Sequence, residues 1–299
     1  MPHPGCRGSR VTGVLAILGP GTLGLSAAQW AAECGLEVRL LGRDRDHAQR
    51  GLLEVERRWD SALRKGTMSP MDQERVRSLI RTGAFGPGAL DGVSIFLEAL
   101  PESLDPKARA LTTAASWGQP DLLLLSGTSA LPIAELAQAS GTRGRLLGFH
   151  LFVPVPRMTL VELAVPEGAP ESLLARARAL GAALRKRVVA VKDQPGFAAA
   201  RMALAQGLEA MRLLEAGAAS AEDLDALMML GYGHPVGPLE LSDRIGLDLR
   251  LRIAEGLSSA TGDPRFEPPR LLREKVARGE TGQKSGRGFF RWDGQGRRL

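Results

Sequence analysis

The eleven residues at positions 14–24, VLAILGPGTLG, decide the fold of this chain. The apolar run VLAIL leads directly into Gly19-Pro20-Gly21-Thr22-Leu23-Gly24, which fits the pattern G-x-G-x-x-G, and an alanine-rich stretch with helical spacing follows. Between a strand and a helix, the first glycine allows a tight turn and the second lets the backbone approach a pyrophosphate. The third lets the helix pack closely on the sheet. The pattern predicts a dinucleotide site, with the pyrophosphate at the helix N-terminus.

Outward from this unit, the first two-thirds of the chain alternates strand-like and helix-like segments. The strand-like runs are 14–18, 37–41, 94–100, 121–126, 146–152, 159–165 and 187–192, and the helix-like segments are 22–34, 44–65, 70–81, 105–117 and 170–185. Such alternation favours βαβ units. We therefore predict an α/β domain over residues 12–193, with a Rossmann-type, doubly wound parallel sheet.

The sequence pattern changes after Asp193-Gln194-Pro195-Gly196. From there the apolar residues recur three and four positions apart, which is typical of amphipathic helices. Proline and glycine interrupt both kinds of element, so this tetrapeptide is a suitable boundary. The pattern predicts an all-α C-terminal domain over residues 194–299.

Composition excludes several function classes. Neither the two cysteines nor the four histidines have metal-ligand spacing, so no metal site is expected, and few cysteines suit a reducing cytoplasm. No apolar run reaches the roughly 20 residues of a membrane span. The net charge is +6, but the basic residues are dispersed and only 4% of residues are aromatic, which argues against nucleic-acid binding. A basic surface suits phosphorylated cofactors, CoA or an acidic carrier protein.

The end of the second strand bears on the choice of cofactor. An NAD site usually has Asp or Glu there to bind the ribose 2′-hydroxyl. This chain has Gly42 followed by Arg43, which lacks that carboxylate and offers guanidinium donors to a 2′-phosphate. We predict NADP(H), assisted by Arg45. The alternative is that both arginines are solvated and that Asp44 binds the ribose of NAD.

A second stretch, GFHLFVPVPRMTLVE at residues 148–162, resembles the L-3-hydroxyacyl-CoA dehydrogenases, whose pattern is close to G-x-H-F-F-N-P-x-P-x-M-x-L-V-E. Further matches are LEALPE at 97–102, SGTS at 126–129, DQPGF at 193–197 and GQKSGRGFF at 282–290, so the resemblance extends from about residue 12 to residue 292. It implies oxidoreduction at C3 of an acyl thioester. It also implies a helical domain that mediates homodimer formation.

The catalytic residues can be assigned on this basis. His150 is suited to exchange the proton of the substrate hydroxyl, because an imidazole titrates near neutrality. Glu162 is positioned to hold the imidazole tautomer and to balance its positive charge, as the family's His–Glu pair does. By resemblance, Ser129 hydrogen-bonds the substrate oxygen. Also by resemblance, Glu102, Lys107 and Lys284 line the cofactor site.

Two positions depart from the family pattern. Val153 and Ala200 stand where the family has asparagines of the active-site hydrogen-bond set. Their replacement makes the pocket less polar. The main hypothesis remains an NADP-dependent dehydrogenase of 3-hydroxy/3-oxo acyl groups carried on CoA or on an acyl carrier protein. The alternatives are a dehydrogenase of a free hydroxy acid or sugar acid, and a non-catalytic NADP-binding sensor.

Overall fold

The computed structural model describes residues 13–299, so residue 12, where the predicted first domain begins, lies outside the described part. The chain forms two compact units, the first ending at Phe197 and the second comprising Ala198–Leu299. The predicted boundary after Asp193 lies slightly before this division.

The first unit is built on one eight-stranded sheet. Its strands are β1 (Val14–Leu18), β2 (Val38–Gly42), β3 (Ile80–Ala84), β4 (Val93–Glu98), β5 (Leu123–Ser126), β6 (Leu146–Leu151), β7 (Leu160–Val165) and β8 (Arg187–Lys192), in the spatial order 3-2-1-4-5-6-7-8. All neighbouring strands are parallel except β6 and β7. The strand order reverses between β1 and β4, which is where doubly wound sheets bind ligands. The predicted Rossmann-type fold is confirmed.

Helices pack against both faces of this sheet. They are α1 (Thr22–Glu33), α2 (Arg45–Arg64), α3 (Pro70–Ser78), α4 (Leu104–Trp117), α5 (Ile133–Ala139) and α6 (Glu171–Ala183). Alternate residues of β1 enter opposite cores: Leu15 and Ile17 lie in one cluster, Ala16 and Leu18 in the other. Burial on both faces explains why the strand is a continuous apolar run.

Two elements of this unit differ from the sequence expectation. The predicted helix 70–81 ends at Ser78, and β3 follows it directly as an edge strand that pairs only with β2 among the described residues. Helix α5 was not predicted. Its first N–H groups, those of Ile133 and Ala134, donate to the carboxylate of Asp193 at 2.7 and 2.6 Å, and that residue is far away in sequence. A cap supplied by tertiary contact leaves no local sequence signal.

The second unit is helical, as predicted. It contains α7 (Ala199–Glu215), α8 (Ala221–Ala226) continuing into a π-helical turn (Leu227–Gly231), α9 (Pro238–Ile245), α10 (Leu247–Thr261) and α11 (Arg270–Ala277), with 3₁₀ turns at Pro264–Phe266 and Gln283–Ser285. Residues 238–257 carry apolar residues with helical spacing throughout, but the structure divides this stretch between α9 and α10 at Gly246, whose φ is 102°. No helix within residues 13–299 is long and apolar enough to cross a membrane.

One buried carboxylate holds the C-terminal segment of this unit. Asp243 on α9 accepts hydrogen bonds from the backbone N–H groups of Phe289 and Phe290, both at 2.9 Å, and from the indole of Trp292 at 3.0 Å. A Cβ on Gly288 would lie 2.0 Å from a carboxylate oxygen of Asp243. Packing therefore requires a glycine at position 288 of the GQKSGRGFF stretch.

Candidate active site

The glycine-rich turn lies between β1 and α1. Gly19 has a φ of 108°, and a Cβ there would lie 2.6 Å from the carbonyl oxygen of Ala99. A Cβ on Gly24 would lie 1.9 Å from the carbonyl oxygen of Gly19. By contrast, a Cβ on Gly21 would have no heavy atom within 4 Å. The first and third glycines are therefore fixed by packing, and the second borders open space.

This open space is suited to a pyrophosphate. Helix α1 begins with Thr22 and Leu23, and Gly21 at its N-cap has no side chain with which to cap the first N–H groups. The first turn contains no acidic residue, so the positive end of the helix dipole is not neutralised there. Exposed donors and an unneutralised dipole are the features that bind a phosphate. The residues present thus fit a nicotinamide dinucleotide.

At the end of β2, Gly42, Arg43 and Asp44 have different surroundings. The carboxylate of Asp44 caps α2 by accepting from the His47 N–H at 2.6 Å, and it accepts from Arg43 Nε at 3.3 Å. The His47 hydrogen bond, followed by Arg43, lowers the pKa of Asp44. A Cβ on Gly42 would lie 2.9 Å from both Ala48 N and Asp44 O. Gly42 therefore has a packing reason of its own, while the Arg43 side chain is 76% exposed.

A buried ion pair lies at the carboxyl ends of β4 and β5. Lys107 Nζ is 2.9 Å from Glu98 Oε1 and 3.0 Å from the Leu100 carbonyl oxygen, and both charged side chains are almost fully buried. Glu98 also accepts from Ser126 Oγ at 2.6 Å, because the two residues are register partners in neighbouring strands. Glu98 and Ser126 were not singled out from the sequence. Their signal was a polar residue at the end of an apolar strand.

The Lys107 ammonium also reaches a second carboxylate, with Nζ 3.3 Å from Glu102 Oε2. The other oxygen of Glu102 accepts from Thr128 Oγ1 at 2.6 Å, from Ser129 N at 2.9 Å and from Ser129 Oγ at 3.2 Å. Burial opposes ionisation of Glu102, but Lys107 and these hydrogen bonds outweigh it and lower the pKa. The predicted residues Glu102, Lys107 and Ser129 are thus one connected cluster.

The predicted acid–base residues face each other across the antiparallel pair β6–β7. His150 and Glu162 are direct register partners, and His150 Nδ1 lies 2.9 Å from Glu162 Oε2. Both side chains are largely buried, at 11% and 3% exposure. The imidazole packs against Phe152 and Phe197, with ring centroids 4.5 and 6.3 Å away. Because Nδ1 is engaged by the carboxylate, Nε2 is the ring nitrogen to which any proton exchange with a bound molecule would fall.

A cleft of about 530 Å³ lies beside the segment that follows β6. Its lining residues come from α1, α2 and that segment: Thr22, Ser26, Gln29, Arg58, Ser61, Lys65, Val153, Pro154, Pro156 and Arg157. Three of them, Arg58, Lys65 and Arg157, are cationic and exposed. The cleft therefore combines an apolar wall with positive charge.

One predicted cofactor residue lies in the second unit. Lys284 follows α11, and its Nζ is 2.6 Å from Asp248 Oδ1 on α10. Its role toward the cofactor stays a prediction. Over residues 13–299, no group of three or more His, Cys, Asp or Glu side chains could hold a metal ion.

A glycine-rich βα turn that fits a dinucleotide, together with a sheet-held His–Glu pair, is the arrangement of a nicotinamide-dependent dehydrogenase. Residues 14–194 match the family described as 3-hydroxyacyl-CoA dehydrogenase, NAD binding domain. Residues 196–292 match its C-terminal domain. The chain belongs to the 3-hydroxyacyl-CoA dehydrogenase family.

Individual relatives agree with this assignment. The chain is 34% identical over 279 residues to a probable 3-hydroxybutyryl-CoA dehydrogenase of Bacillus subtilis, covering 93% of this chain and 97% of the relative. It is 32% identical to the human mitochondrial hydroxyacyl-coenzyme A dehydrogenase, with 93% and 90% covered. Among solved structures, the (S)-3-hydroxybutyryl-CoA dehydrogenase of Ralstonia eutropha superposes with a TM-score of 0.89 at 34% identity, covering 94% of this chain and 99% of that one.

The buried ion pair generates a stability prediction. Lys107→Met leaves the Glu98 carboxylate buried and without its cation, and we expect the free energy of unfolding to fall by about 3–5 kcal/mol. The double variant Glu98→Leu/Lys107→Met removes both charges and should recover at least half of that loss. Urea unfolding of the three proteins measures the difference. A single variant as stable as the unmodified protein would show that the pair does not act as described.

Proposed function

We propose that this protein transfers a hydride between NADP(H) and C3 of a 3-hydroxy/3-oxo acyl thioester. The observation that carries the proposal is the hydrogen-bonded His150–Glu162 pair. The segment that follows His150 in the chain lines a cleft that also has cationic residues. The family membership of both halves of the chain supports the same chemistry.

Each residue of the pair has a separate task in this reaction. The bound nicotinamide would supply or accept the hydride. In the oxidative direction His150 Nε2 takes the hydroxyl proton of the substrate, and in reduction it returns a proton to the forming alkoxide. Glu162 holds Nδ1 and stabilises the imidazolium by its negative charge. The Ser129 N–H donates to Glu102 at 2.9 Å and fixes the residue, and the Ser129 hydroxyl is the proposed donor to the substrate oxygen, turning its proton from Glu102 to that oxygen.

The cleft supports CoA as the acyl carrier. Arg58, Lys65 and Arg157 line it, and arginine and lysine side chains bind phosphate groups such as those of CoA. An acidic acyl carrier protein would be attracted by the same charges and remains the alternative carrier. NADH or NADPH oxidation with acetoacetyl-CoA, a carrier-bound 3-oxoacyl group and free oxo acids separates the substrate classes. A sensor would bind the cofactor and turn over none of them.

For the cofactor, the proposal of NADP(H) rests on Arg43. Its side chain is 76% exposed at the end of β2, and the neighbouring Asp44 carboxylate is already engaged in capping α2. A guanidinium favours a 2′-phosphate, whereas a ribose 2′-hydroxyl needs a carboxylate acceptor. The family to which the chain belongs is described as NAD-binding, so NAD(H) is the direct competitor.

The cofactor prediction is tested by calorimetric titration. NADP(H) should bind at least about tenfold tighter than NAD(H), which corresponds to about 1.4 kcal/mol. Arg43→Gln should abolish that preference, whereas Arg57→Gln, an exposed arginine further along α2, should not. Substituting Gly42 would be a poor test, because a Cβ there crowds the backbone. Equal or tighter binding of NAD(H) by the unmodified protein would refute the preference.

The acid–base prediction concerns turnover. His150→Gln should lower kcat at least ~100-fold and leave cofactor affinity nearly unchanged, because general acid–base catalysis typically contributes that much. Glu162→Gln should lower kcat less, since it orients the imidazole and transfers no proton itself. Steady-state kinetics and cofactor titration on both variants give the comparison. Near-full activity of the His150 variant would remove this residue from the mechanism.

The last prediction of this section concerns substrate preference. Val153 lines the cleft and is 47% exposed. Val153 and Ala200 each stand at a position where the resembled family has an asparagine. With fewer donors to the substrate, acetoacetyl-CoA should be a poor substrate. Val153→Asn with Ala200→Asn should raise its kcat/KM roughly ten- to a hundredfold. The size-matched apolar control, Val153→Leu with Ala200→Leu, should not. If the unmodified protein already turns over acetoacetyl-CoA with a kcat/KM of about 10⁶ M⁻¹s⁻¹, the absence of the two family asparagines does not impair this substrate, and the prediction is wrong.

A homodimer is part of the proposal. The second unit exposes large apolar side chains, among them Leu227, Leu230, Tyr232 and Met202, and exposed apolar surface of this kind supports association with a second copy. Sedimentation equilibrium measures the mass directly. A cytoplasmic location stays a prediction.

A further inference from the structure

A buried lysine outside the catalytic set holds the segment between β6 and β7. The Lys186 side chain is buried, at 7% exposure, and its Nζ donates to the carbonyl oxygens of Val155 and Met158. This ammonium also lies 4.4 Å from the centre of the Trp30 ring. Burying an ammonium is costly unless its protons are bound, and here two peptide carbonyls and an aromatic face bind it.

Helix α1 contributes a second anchor to the same segment. Ser26 Oγ accepts from the Val155 N–H at 2.9 Å, so the N–H and the carbonyl of Val155 are both held by buried side chains. Ser26 and Trp30 are one helical turn apart and lie on the same side of α1. The Trp30 indole donates to the Leu184 carbonyl oxygen at 2.6 Å, which fixes the chain two residues before Lys186.

The chain around Lys186 is shaped to deliver its side chain inward. Arg185 has a φ of 54°, a left-handed conformation that is uncommon for a residue with a Cβ. The N–H of Arg187 donates to the Thr159 carbonyl oxygen at 2.7 Å, at the other end of the same segment. The left-handed conformation ends α6, because the N–H groups of Arg185 and Lys186 donate back to the carbonyl oxygens of Ala182 and Gly181, at 2.9 and 2.8 Å, as in a Schellman helix cap. The cap turns the chain out of the helix immediately before Lys186.

We propose that Lys186 is a positioning residue for the substrate cleft. Its ammonium fixes residues 153–158 in the conformation that presents Val153, Pro154 and Arg157 to the cleft. The proposal rests on the proposed function only in naming the occupant of that cleft as an acyl thioester. His150 is held separately, by the β6–β7 register, so Lys186 governs substrate binding more than proton transfer.

Steady-state kinetics of Lys186 variants separate an effect on substrate binding from an effect on proton transfer. Lys186→Met should raise the KM for the thioester at least about tenfold, because misplacing a substrate-contacting segment weakens the fit. Both kcat and cofactor affinity should stay nearly unchanged. Lys186→Arg keeps donors for both carbonyls and should restore most of the KM. The control is Arg187→Met, which removes an exposed cation from the adjacent position and should change neither constant.

Hydrogen exchange tests, without substrate, whether Lys186 holds residues 153–158. Amide hydrogen exchange at Val155 should become at least about tenfold faster in Lys186→Met, since the segment opens locally. Ser26→Ala should have a similar effect, and the two substitutions together should be less than additive, because both release the same peptide unit.

Failure of the positioning role and failure of the proposed function give different results. If Lys186→Met lowers only the melting temperature and leaves both the Val155 exchange and the KM unchanged, the residue is merely structural and the proposal is wrong. If the unmodified protein turns over no thioester, the proposed function fails, while faster exchange at Val155 still supports the positioning role.

Discussion

The pairing of β6 with β7 is the constraint on which the candidate site depends. Among the strands of residues 13–299 it is the one antiparallel contact of the sheet, and it places His150 and Glu162 directly opposite each other. Opposite residues of an antiparallel pair project from the same face with Cβ atoms about 5 Å apart. That spacing is suited to a hydrogen bond between an imidazole and a carboxylate. A one-residue slip of either strand would turn the two side chains to opposite faces.

The remainder of the site is assembled at the carboxyl ends of the parallel strands. Glu98 ends β4 and Ser126 ends β5, and the Lys107 ammonium joins Glu98 to Glu102. Breaking such a buried pair from one side costs far more than removing both charges. Because Lys107 also contacts Glu102, which holds Ser129, the pair fixes the geometry of these residues as well as contributing to stability.

The sequence contained most of the fold because the decisive patterns are local. The apolar run before Gly19 and the helical spacing after it define β1 and α1 without tertiary information. Strand β3 and helix α5 escaped prediction for the opposite reason. The first is a short edge strand that becomes a strand only through β2, and the second begins where Asp193 caps it from a distant part of the chain.

In the candidate site, too, the residues of local motifs could be predicted and the tertiary contacts could not. His150 and Glu162 could be paired from their motif, but the contacts of Lys186 join residues more than twenty-five positions apart, which no spacing rule encodes. Gly42 is a residue that the sequence explained only in part. The sequence suggested a cofactor reason for the missing carboxylate, whereas the structure adds a steric one, the closeness of the α2 backbone.

Glu162 holds His150 by Nδ1, and we propose that Nε2 therefore exchanges the substrate proton. The ¹⁵N chemical shifts of the neutral His150 ring report the tautomer directly. We predict that Nδ1 carries the proton and that Nε2 is unprotonated, and that Glu162→Leu shifts the neutral ring toward a mixture of both tautomers. A neutral ring protonated at Nε2 in the unmodified protein would contradict the account.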